Sequence, residues 1–333
     1  MDIEQEELQF LGLFGICKEA YKIITSWRKL FCQITLSLIF PLSFIFLAHV
    51  EVSNTLFRKI NRSEIELDKT AFGTPKYDKL SDLLSSEWTA LLLFKAAYFT
   101  FFLIFSLLST AAVVYAIACI YTARDLTFRK VMSVVPRVWK RLMATFMCLF
   151  IALFTYHVVA VIVFVVWIFF VGPSRLGMSS LVVFLIVYFV GFLYMSIIWQ
   201  LASVVSVLEE AYGAQALIKS RRLVKGKMRL AAAIFLKLNF VSAVLMQIGF
   251  QRLVVNGEWA GVVGRVAYAV LCFLLLSMLF LYGLVIQTIL YFICKSYHHE
   301  SIDKSALSDH LEVYGGEYVP LKGKDVQLEQ FYV

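Results

Sequence analysis

Several polar side chains interrupt an apolar stretch that runs from Leu230 to Val255, and four of them are the first candidates for chemistry. They are Lys237, Gln247, Gln251 and Arg252. An α-helix turns 100° per residue, which places all four within about 140° of one another, so they share one face. Such a face would line a polar pathway or hold an anionic headgroup. The alternative is that Lys237 and Arg252 extend to opposite membrane surfaces while the glutamines bond between helices.

Two basic segments form the second candidate site. The first contains Arg137, Lys140 and Arg141, and the second contains Arg221, Arg222, Lys225 and Lys227. Each basic side chain beside an anionic leaflet contributes about 1 kcal/mol of attraction, so both segments are predicted to contact anionic lipids. The simpler alternative is that these charges only keep the segments on the cytosolic side of the membrane.

Patterns that carry enzyme chemistry are missing from the sequence. It has no GxxxxGK[ST] phosphate loop, no GxSxG nucleophile elbow and no HExxH zinc motif. The pair His298-His299 lacks cysteine or carboxylate partners at metal-ligand spacing. His157 lies in an apolar stretch without an aspartate or glutamate that would complete a proton relay, so a hydrogen-bonded bundle histidine is the simpler interpretation. We predict a protein that is not an enzyme and that uses no cofactor and no metal.

Three kinds of residue are candidates for modification or sorting. Asn61-Arg62-Ser63 is a glycosylation sequon, and Tyr318-Val319-Pro320-Leu321 resembles a tyrosine-based signal for a cytosolic sorting adaptor, read through Tyr318 and Leu321. Four cysteines fall near predicted cytosolic boundaries, where S-palmitoylation occurs, although buried cysteines need no modification. They are Cys17, Cys32, Cys119 and Cys294.

The elements that must position these residues follow from composition. Of the 333 residues, 61% are apolar and only 16% are charged, whereas globular domains are about 45–50% apolar and about 25% charged. A water-soluble chain of this length has no core large enough for that excess, so lipid must solvate part of the chain. The net charge of +8 does not indicate nucleic acid, because the basic residues cluster between apolar runs.

Six apolar stretches are long enough to cross a bilayer, which needs about 20 residues. They are Phe31–Val50, Leu91–Tyr121, Leu142–Val171, Leu176–Val207, Leu230–Val255 and Val266–Cys294. The predicted fold is therefore an all-α, polytopic bundle of about six spans. Pro41 lies inside the first span, where neighbouring helices tolerate a kink.

Charge bias sets the predicted orientation. The connections after spans two and four are strongly basic, whereas the outer loop Glu51–Thr89 has six basic residues balanced by seven acids. Because short basic loops stay in the cytosol, both termini are predicted to be cytosolic. The protein itself is predicted to lie in the endomembrane system or the plasma membrane. We divide the chain into a cytosolic amphipathic segment (residues 1–30), six spans (31–294) and a cytosolic polar tail (295–333).

A basic amphipathic segment precedes spans one, three and five, and these segments end at Leu30, Leu142 and Leu230. This indicates three repeats of an interfacial helix plus a transmembrane hairpin, although the shared identities are few. The segment Glu209 to Lys227, with its "Ala-Leu…Ser-Arg" core, resembles an elbow in the membrane domain attached to some glycerophosphodiester phosphodiesterases, whose catalytic barrel is absent here. The whole chain looks like a family of uncharacterised plant multi-pass membrane proteins, some labelled as polyadenylate-binding-protein partners. Neither resemblance implies an activity.

Two functions remain open from the sequence. The basic segments and the missing catalytic groups favour a non-enzymatic membrane organiser or lipid-interacting scaffold. The repeated hairpins and the polar face around Lys237 would instead suit a transporter or channel for a small molecule or ion. Transport predicts a water-filled cavity that Lys237 and Gln247 face, whereas a scaffold predicts a tight bundle with basic helices lying flat on lipid. The oligomeric state is not predicted.

Overall fold

The structure is a computed structural model that describes residues 10–123, 126–170, 172, 175–255 and 261–299. Those residues form eight helices and, within these ranges, no strand. The helices are α1 (Leu13–Ser26), α2 (Arg28–Asp68), α3 (Pro75–Tyr121), α4 (Phe128–Phe170), α5 (Arg175–Leu208), α6 (Ala214–Val224), α7 (Met228–Val244, continued by a π-helix over Leu245–Val255) and α8 (Val262–Tyr297). The predicted all-α class is confirmed.

Six of these helices, namely α2 to α5, α7 and α8, are long and apolar enough to cross a membrane. They coincide with the six predicted spans, and they identify the chain as a membrane protein. Most are longer than predicted. The 47 residues of α3 extend over about 70 Å at the rise of an α-helix, against a hydrocarbon core of about 30 Å.

The outer loop predicted at Glu51–Thr89 is largely a helical hairpin, which explains the extra length. Helix α2 continues to Asp68, and α3 begins at Pro75. Thr74 caps α3, since its Oγ1 accepts the Tyr77 N–H at 3.3 Å, and Pro75 fits the first helical position because that position needs no N–H donor. An ion pair from Lys59 to the buried Glu87 (3.3 Å) joins the two helices.

Pro41 lies just after a π-helical turn over Thr35–Ile39. The Phe40 N–H donates to the Thr35 carbonyl, five residues back. Proline has no N–H, and its ring clashes with the carbonyl four residues earlier in a regular helix. Local widening of the turn accommodates this, so α2 passes Pro41 without ending.

The protein core lies at one end of the bundle, which we call the basic end. It is the end that contains α1, α6, Tyr121 of α3 and Tyr297 of α8. Residues Ser109 to Tyr121 of α3 are all buried there, as are residues Val285 to Cys294 of α8. At the opposite, hairpin end, the apolar side chains of α4 are largely exposed, for example Phe169 at 82%. That surface suits contact with lipid.

Two of the three predicted interfacial segments form separate helices. A break at Trp27 divides α1 from α2, and Lys225 to Lys227 divide α6 from α7. The middle segment is different, because α4 continues through Pro136 into span three without a break. The predicted threefold repeat therefore holds for two units in this respect and not for the third.

The separate helices also differ from the predicted flat interfacial helices in what their apolar faces contact. Ala216, Leu223 and Val224 of α6 are almost fully buried in the core, as are Ile16 and Ala20 of α1. An interfacial helix inserts its apolar face into lipid. Here the bundle itself covers those faces, and the exposed surface of α1 includes the aromatic side chains of Phe14 and Tyr21.

Candidate functional site

Glu209 is the centre of a charged cluster at the basic end, directly after α5. Its Oε2 lies 2.5 Å from the Lys219 Nζ of α6. Its Oε1 accepts a hydrogen bond from the Tyr291 hydroxyl at 2.5 Å and pairs with the Lys295 Nζ at 3.2 Å, both on α8. The carboxylate thus joins three helices through charge-assisted bonds.

The pKa of Glu209 shows that this cluster favours the ionised carboxylate. Burial alone would raise the pKa, because it removes water from the charge. Hydrogen bonds from Lys219 and Tyr291, together with the positive charge of Lys295, outweigh burial and hold the pKa below its ordinary value of 4.5. The side chain of Glu209 is 11% exposed, so water screens these interactions only partly.

Backbone geometry fixes both ends of α6. Gly213 precedes the helix with φ of +62°, and its N–H donates to Thr145 Oγ1 of α4 at 2.8 Å. Gly226 follows the helix with φ of +88°, and a Cβ atom there would collide with the ring of Tyr297. Because both values are strained for residues other than glycine, the position of α6 depends on these two glycines.

The end of α8 closes over the last turn of α6. The His298 Nε2–H donates to the carbonyls of Leu223 (3.1 Å) and Lys225 (2.9 Å), which satisfies acceptors that a helix end leaves open. The Lys227 ammonium lies 4.8 Å from the centre of the Tyr297 ring, within the range of a cation–π interaction. Helix α6 is therefore held by α4, α5 and α8.

The seven predicted lipid-contacting cations divide into two groups. Arg137, Lys140, Arg221, Arg222 and Lys225 are exposed. Arg141 and Lys227 are only half-exposed and interact within the protein. The Arg141 Nη1 lies 3.5 Å from the Glu209 carbonyl, and its guanidinium lies 5.9 Å from the centre of the Tyr212 ring. The exposed group forms a cationic surface on α4 and α6 at the basic end.

The polar face predicted around Lys237 is not a single surface. Lys237, Gln247 and Arg252 are exposed, whereas Gln251 is half-buried. The rotation of 100° per residue applies only as far as Val244, because the π-helix that follows bonds five residues back and turns less per residue. The Lys237 ammonium lies 5.6 Å from the centre of the Phe14 ring of α1, a contact that spacing along α7 could not reveal.

A cavity of about 230 Å³ lies between α2, α3, α5, α7 and α8. Neither Lys237 nor Gln247 lines this cavity. The polar residues that do line it are Ser106, Gln200, Asn239, Ser242 and Gln287. Gln200 and Gln287 join α5 to α8, because the Gln287 Nε2 donates to the Gln200 carbonyl and to Ser203 Oγ, both at 2.6 Å.

His157 and Lys95 have simple local environments. The His157 Nδ1 lies 2.6 Å from the Leu153 carbonyl of its own helix, and its ring packs edge-on against Tyr156 and Tyr188. Among the described residues, no group of histidine, cysteine, aspartate and glutamate side chains could hold a metal ion. The Lys95 Nζ lies 2.8 Å from His49 Nε2 of α2.

The modification candidates have different accessibility. Cys32 is exposed and Cys17 is half-buried, but Cys119 and Cys294 are 2% and 0% exposed. Acylation of those two is inconsistent with this packing, because no space is left for an acyl chain. Asn61 is exposed, but it lies within α2 rather than in the surface loop that a sequon favours, and Ser63 is buried. Tyr318 and Leu321 lie outside the described residues.

Sequence reasoning missed the Glu209 cluster and the cavity. Glu209 is an acid within a strongly basic connection, and that contrast in charge was the available signal. Tyr291 and Lys295 are four residues apart and share a helix face, but their contact with Glu209 joins positions more than 80 residues apart in the chain. The sequence contains no local signal for such a pairing.

Residues 1–331 match the model of a family described as a domain of unknown function (DUF8558), and the chain belongs to that family. No curated protein and no solved structure matches the chain. The resemblances to a phosphodiesterase membrane domain and to plant membrane proteins therefore stay predictions.

Proposed function

We propose that this membrane protein is a non-enzymatic organiser that binds anionic lipid headgroups at its basic end. One observation carries the proposal. Helix α6 packs its apolar face on the protein core and presents Arg221, Arg222 and Lys225 outward. These cations extend from a helix that begins six residues after α5 ends, so they lie near the membrane surface, where headgroup phosphates and carboxylates are found.

Rigidity strengthens the proposal. A flexible basic segment loses conformational entropy when it orders on a membrane. Here the Glu209 cluster and the contacts at Gly213 and Gly226 already fix α6. Arg137 and Lys140 of α4 add to the same end of the bundle. The binding surface is thus organised before lipid arrives.

Orientation is part of the proposal. The basic end would face the cytosol, because positively charged connections stay on that side, and the hairpin at Gly73 would face the lumen or the cell exterior. A tag inserted between Ser63 and Thr74 should be accessible from that side only, and a tag at the amino terminus only from the cytosol. Protease cleavage of the hairpin from the cytosolic side would overturn the orientation.

The lipid test uses the full chain in detergent, titrated with phosphatidylserine or phosphatidylcholine and observed by native mass spectrometry. The wild-type protein should bind phosphatidylserine more tightly, and the preference should fall with added salt because salt screens the attraction. In the variant Arg221→Gln/Arg222→Gln/Lys225→Gln the preference should fall at least about tenfold, since each charge contributes about 1 kcal/mol near an anionic surface.

A matched control removes the same charge at the other end of the bundle. Lys69, Lys76 and Lys79 are exposed on the helical hairpin. The variant Lys69→Gln/Lys76→Gln/Lys79→Gln should keep the wild-type preference. Equal losses in the two triple variants would mean that net charge, and not the α6 surface, determines binding. Unchanged binding in the α6 variant would refute the proposal directly.

A further inference from the structure

The cavity between α2, α3, α5, α7 and α8 is lined by residues of the candidate spans and lies away from the α6 surface. At the rise of an α-helix, Ser106, Ser242 and Gln287 lie about 15 to 22 Å from the basic ends of their helices. The distances along three separate helices thus place the cavity at a similar depth from the basic end. In a bilayer this depth falls within the hydrocarbon core, where lipid is the abundant ligand.

Two serines of the cavity, like Thr35 and Ser43 of α2, lack the hydrogen bond that most hydroxyl residues in the spans make. A serine or threonine inside a transmembrane helix usually donates to the carbonyl four residues earlier. Ser109, Thr110, Ser277 and several others do so here. Among the described residues, the half-buried Ser106 and Ser242 have no hydrogen-bond partner for their hydroxyls, and both line the cavity.

Acceptors accompany these free hydroxyls. The Gln287 nitrogen donates to Gln200 and Ser203, and the Asn239 nitrogen donates to the Phe235 carbonyl at 2.8 Å. No donor from the described residues bonds to the side-chain oxygen of either residue. Gln287 itself is only 9% exposed. Leaving polar groups unpaired in a membrane interior is costly, which indicates that a partner binds here.

The lining restricts the chemistry of that partner. No aspartate, glutamate, lysine, arginine or histidine is among the described residues that line the cavity, so the cavity suits a neutral group. Serine hydroxyls donate and accept, and the amide oxygens accept, so a ligand hydroxyl can satisfy both kinds of atom. The remaining wall is apolar and aromatic, with Phe102 and Phe280 on opposite helices.

Volume and shape favour a lipid over water alone. A cavity of about 230 Å³ would hold about eight waters at about 30 Å³ each, but much of its wall offers them no hydrogen bond. We propose that the cavity binds the hydroxyl end of a neutral lipid, such as a sterol or a diacylglycerol, beside Ser106, Ser242 and Gln287. The apolar part of the lipid extends between the helices into the bilayer.

The structure supplies a variant that blocks the cavity without removing a contact. Gly283 lines it, and an added Cβ atom there would meet only Leu238 Cδ1, at 4.0 Å. Leucine at this position fills space and also favours the helix. Gly283→Leu should therefore fold at least as well as the wild-type protein while excluding the lipid. Ala267→Leu adds similar bulk on an exposed face of the same helix, α8, and serves as the control.

The test reconstitutes the full chain in phosphatidylcholine nanodiscs with a photoreactive sterol or a photoreactive diacylglycerol, and maps crosslinks by mass spectrometry. Wild-type protein and Ala267→Leu should be labelled on the cavity segments of α3, α7 or α8, and excess unlabelled lipid should compete. Gly283→Leu should lose at least about nine-tenths of this labelling. Whichever of the two probes labels the cavity shows whether the bound hydroxyl belongs to a sterol or to a diacylglycerol.

The double variant Ser106→Ala/Ser242→Ala tests the hydroxyl contacts. It should keep the wild-type unfolding temperature, because no hydrogen bond within the described protein is lost, and it should bind about tenfold more weakly. A probe with its hydroxyl methylated should label poorly. Three results would each overturn the proposal. They are no labelling of the wild-type protein by either hydroxyl probe, labelling of Gly283→Leu equal to that of the wild-type protein, and labelling by the methylated probe equal to that by the hydroxyl probe. These results are independent of the phosphatidylserine titration, which concerns α6.

Discussion

Replacing Glu209 with glutamine tests whether the charged cluster holds α6 on the bundle. The substitution keeps the shape of the side chain and its ability to accept from Tyr291. It removes the negative charge that pairs with Lys219 at 2.5 Å and with Lys295 at 3.2 Å. Two lysine ammonium groups would then share a site without a counter-charge.

The expected cost follows from burial. Removing one partner of a fully buried ion pair costs about 3–5 kcal/mol, whereas exposed pairs contribute about 0–1 kcal/mol. The side chains of Glu209, Lys295 and Lys219 are 11%, 18% and 35% exposed, so the cluster lies between these limits. We expect Glu209→Gln to lower the free energy of unfolding by about 2 kcal/mol.

The assay is thermal unfolding of the full chain in detergent, combined with limited trypsin digestion. Because α6 is released when the cluster fails, cleavage after Arg221 and Arg222 should become faster than in the wild-type protein. Glu210→Gln is the control, since this neighbouring acid is exposed and has no ion pair within the described residues. Identical unfolding temperatures and digestion rates for the two variants would show that the Glu209 cluster does not stabilise α6.

Three further predictions follow from the same end of the bundle. The pKa of Glu209 is lowered by folding, so its stabilising contribution is full above about pH 4.5 and is lost as the pH falls through the folded-state pKa. The difference in unfolding temperature between the wild-type protein and Glu209→Gln should therefore shrink on acidification. A difference that does not depend on pH would contradict this prediction. Gly226→Ala should destabilise the protein by about 1–3 kcal/mol through backbone strain and the collision with Tyr297, and Gly12→Ala, which meets nothing within 4 Å, should leave thermal unfolding unchanged. A thiol-reactive maleimide should modify Cys32 in the folded protein and leave Cys119 and Cys294 unmodified until it unfolds, and rapid modification of all three would refute the burial described above.

Hydrophobic runs of this length leave few alternatives to transmembrane helices, which is why the class and the number of spans were predictable from sequence. Lipid offers no hydrogen bonds to the backbone, so a long apolar segment that crosses the bilayer satisfies its backbone groups internally as a helix. Helix ends were less predictable. Glu51 to Asp68 continues α2 as a polar helix, and hydropathy gives no signal for a helix outside the bilayer.

Side-chain orientation failed where the helix changed type. The interpretation of Lys237, Gln247 and Gln251 assumed regular α-helical rotation, and the π-helix from Leu245 onward invalidates that assumption. The amphipathic pattern of α6 was recognised correctly, but its partner was not. An apolar face that fits lipid equally fits a protein core, and only the tertiary contacts of Ala216, Leu223 and Val224 distinguish the two.

One face of α8 carries residues of both the cavity and the basic end. Gln287, Tyr291 and Lys295 follow one another at intervals of four residues, so they lie on the same face of the helix. All three bond to the last turns of α5 or to Glu209 beyond it. The position of α8 against α5 therefore sets both the width of the cavity and the alignment of Tyr291 and Lys295 with Glu209. Gln287 and Lys295 are separated by about 12 Å along the helix, a distance at which energetic effects at the two sites usually add independently. The same helix pair can thus hold a neutral lipid in mid-membrane and a fixed cationic surface at its end, with separate residues responsible for each.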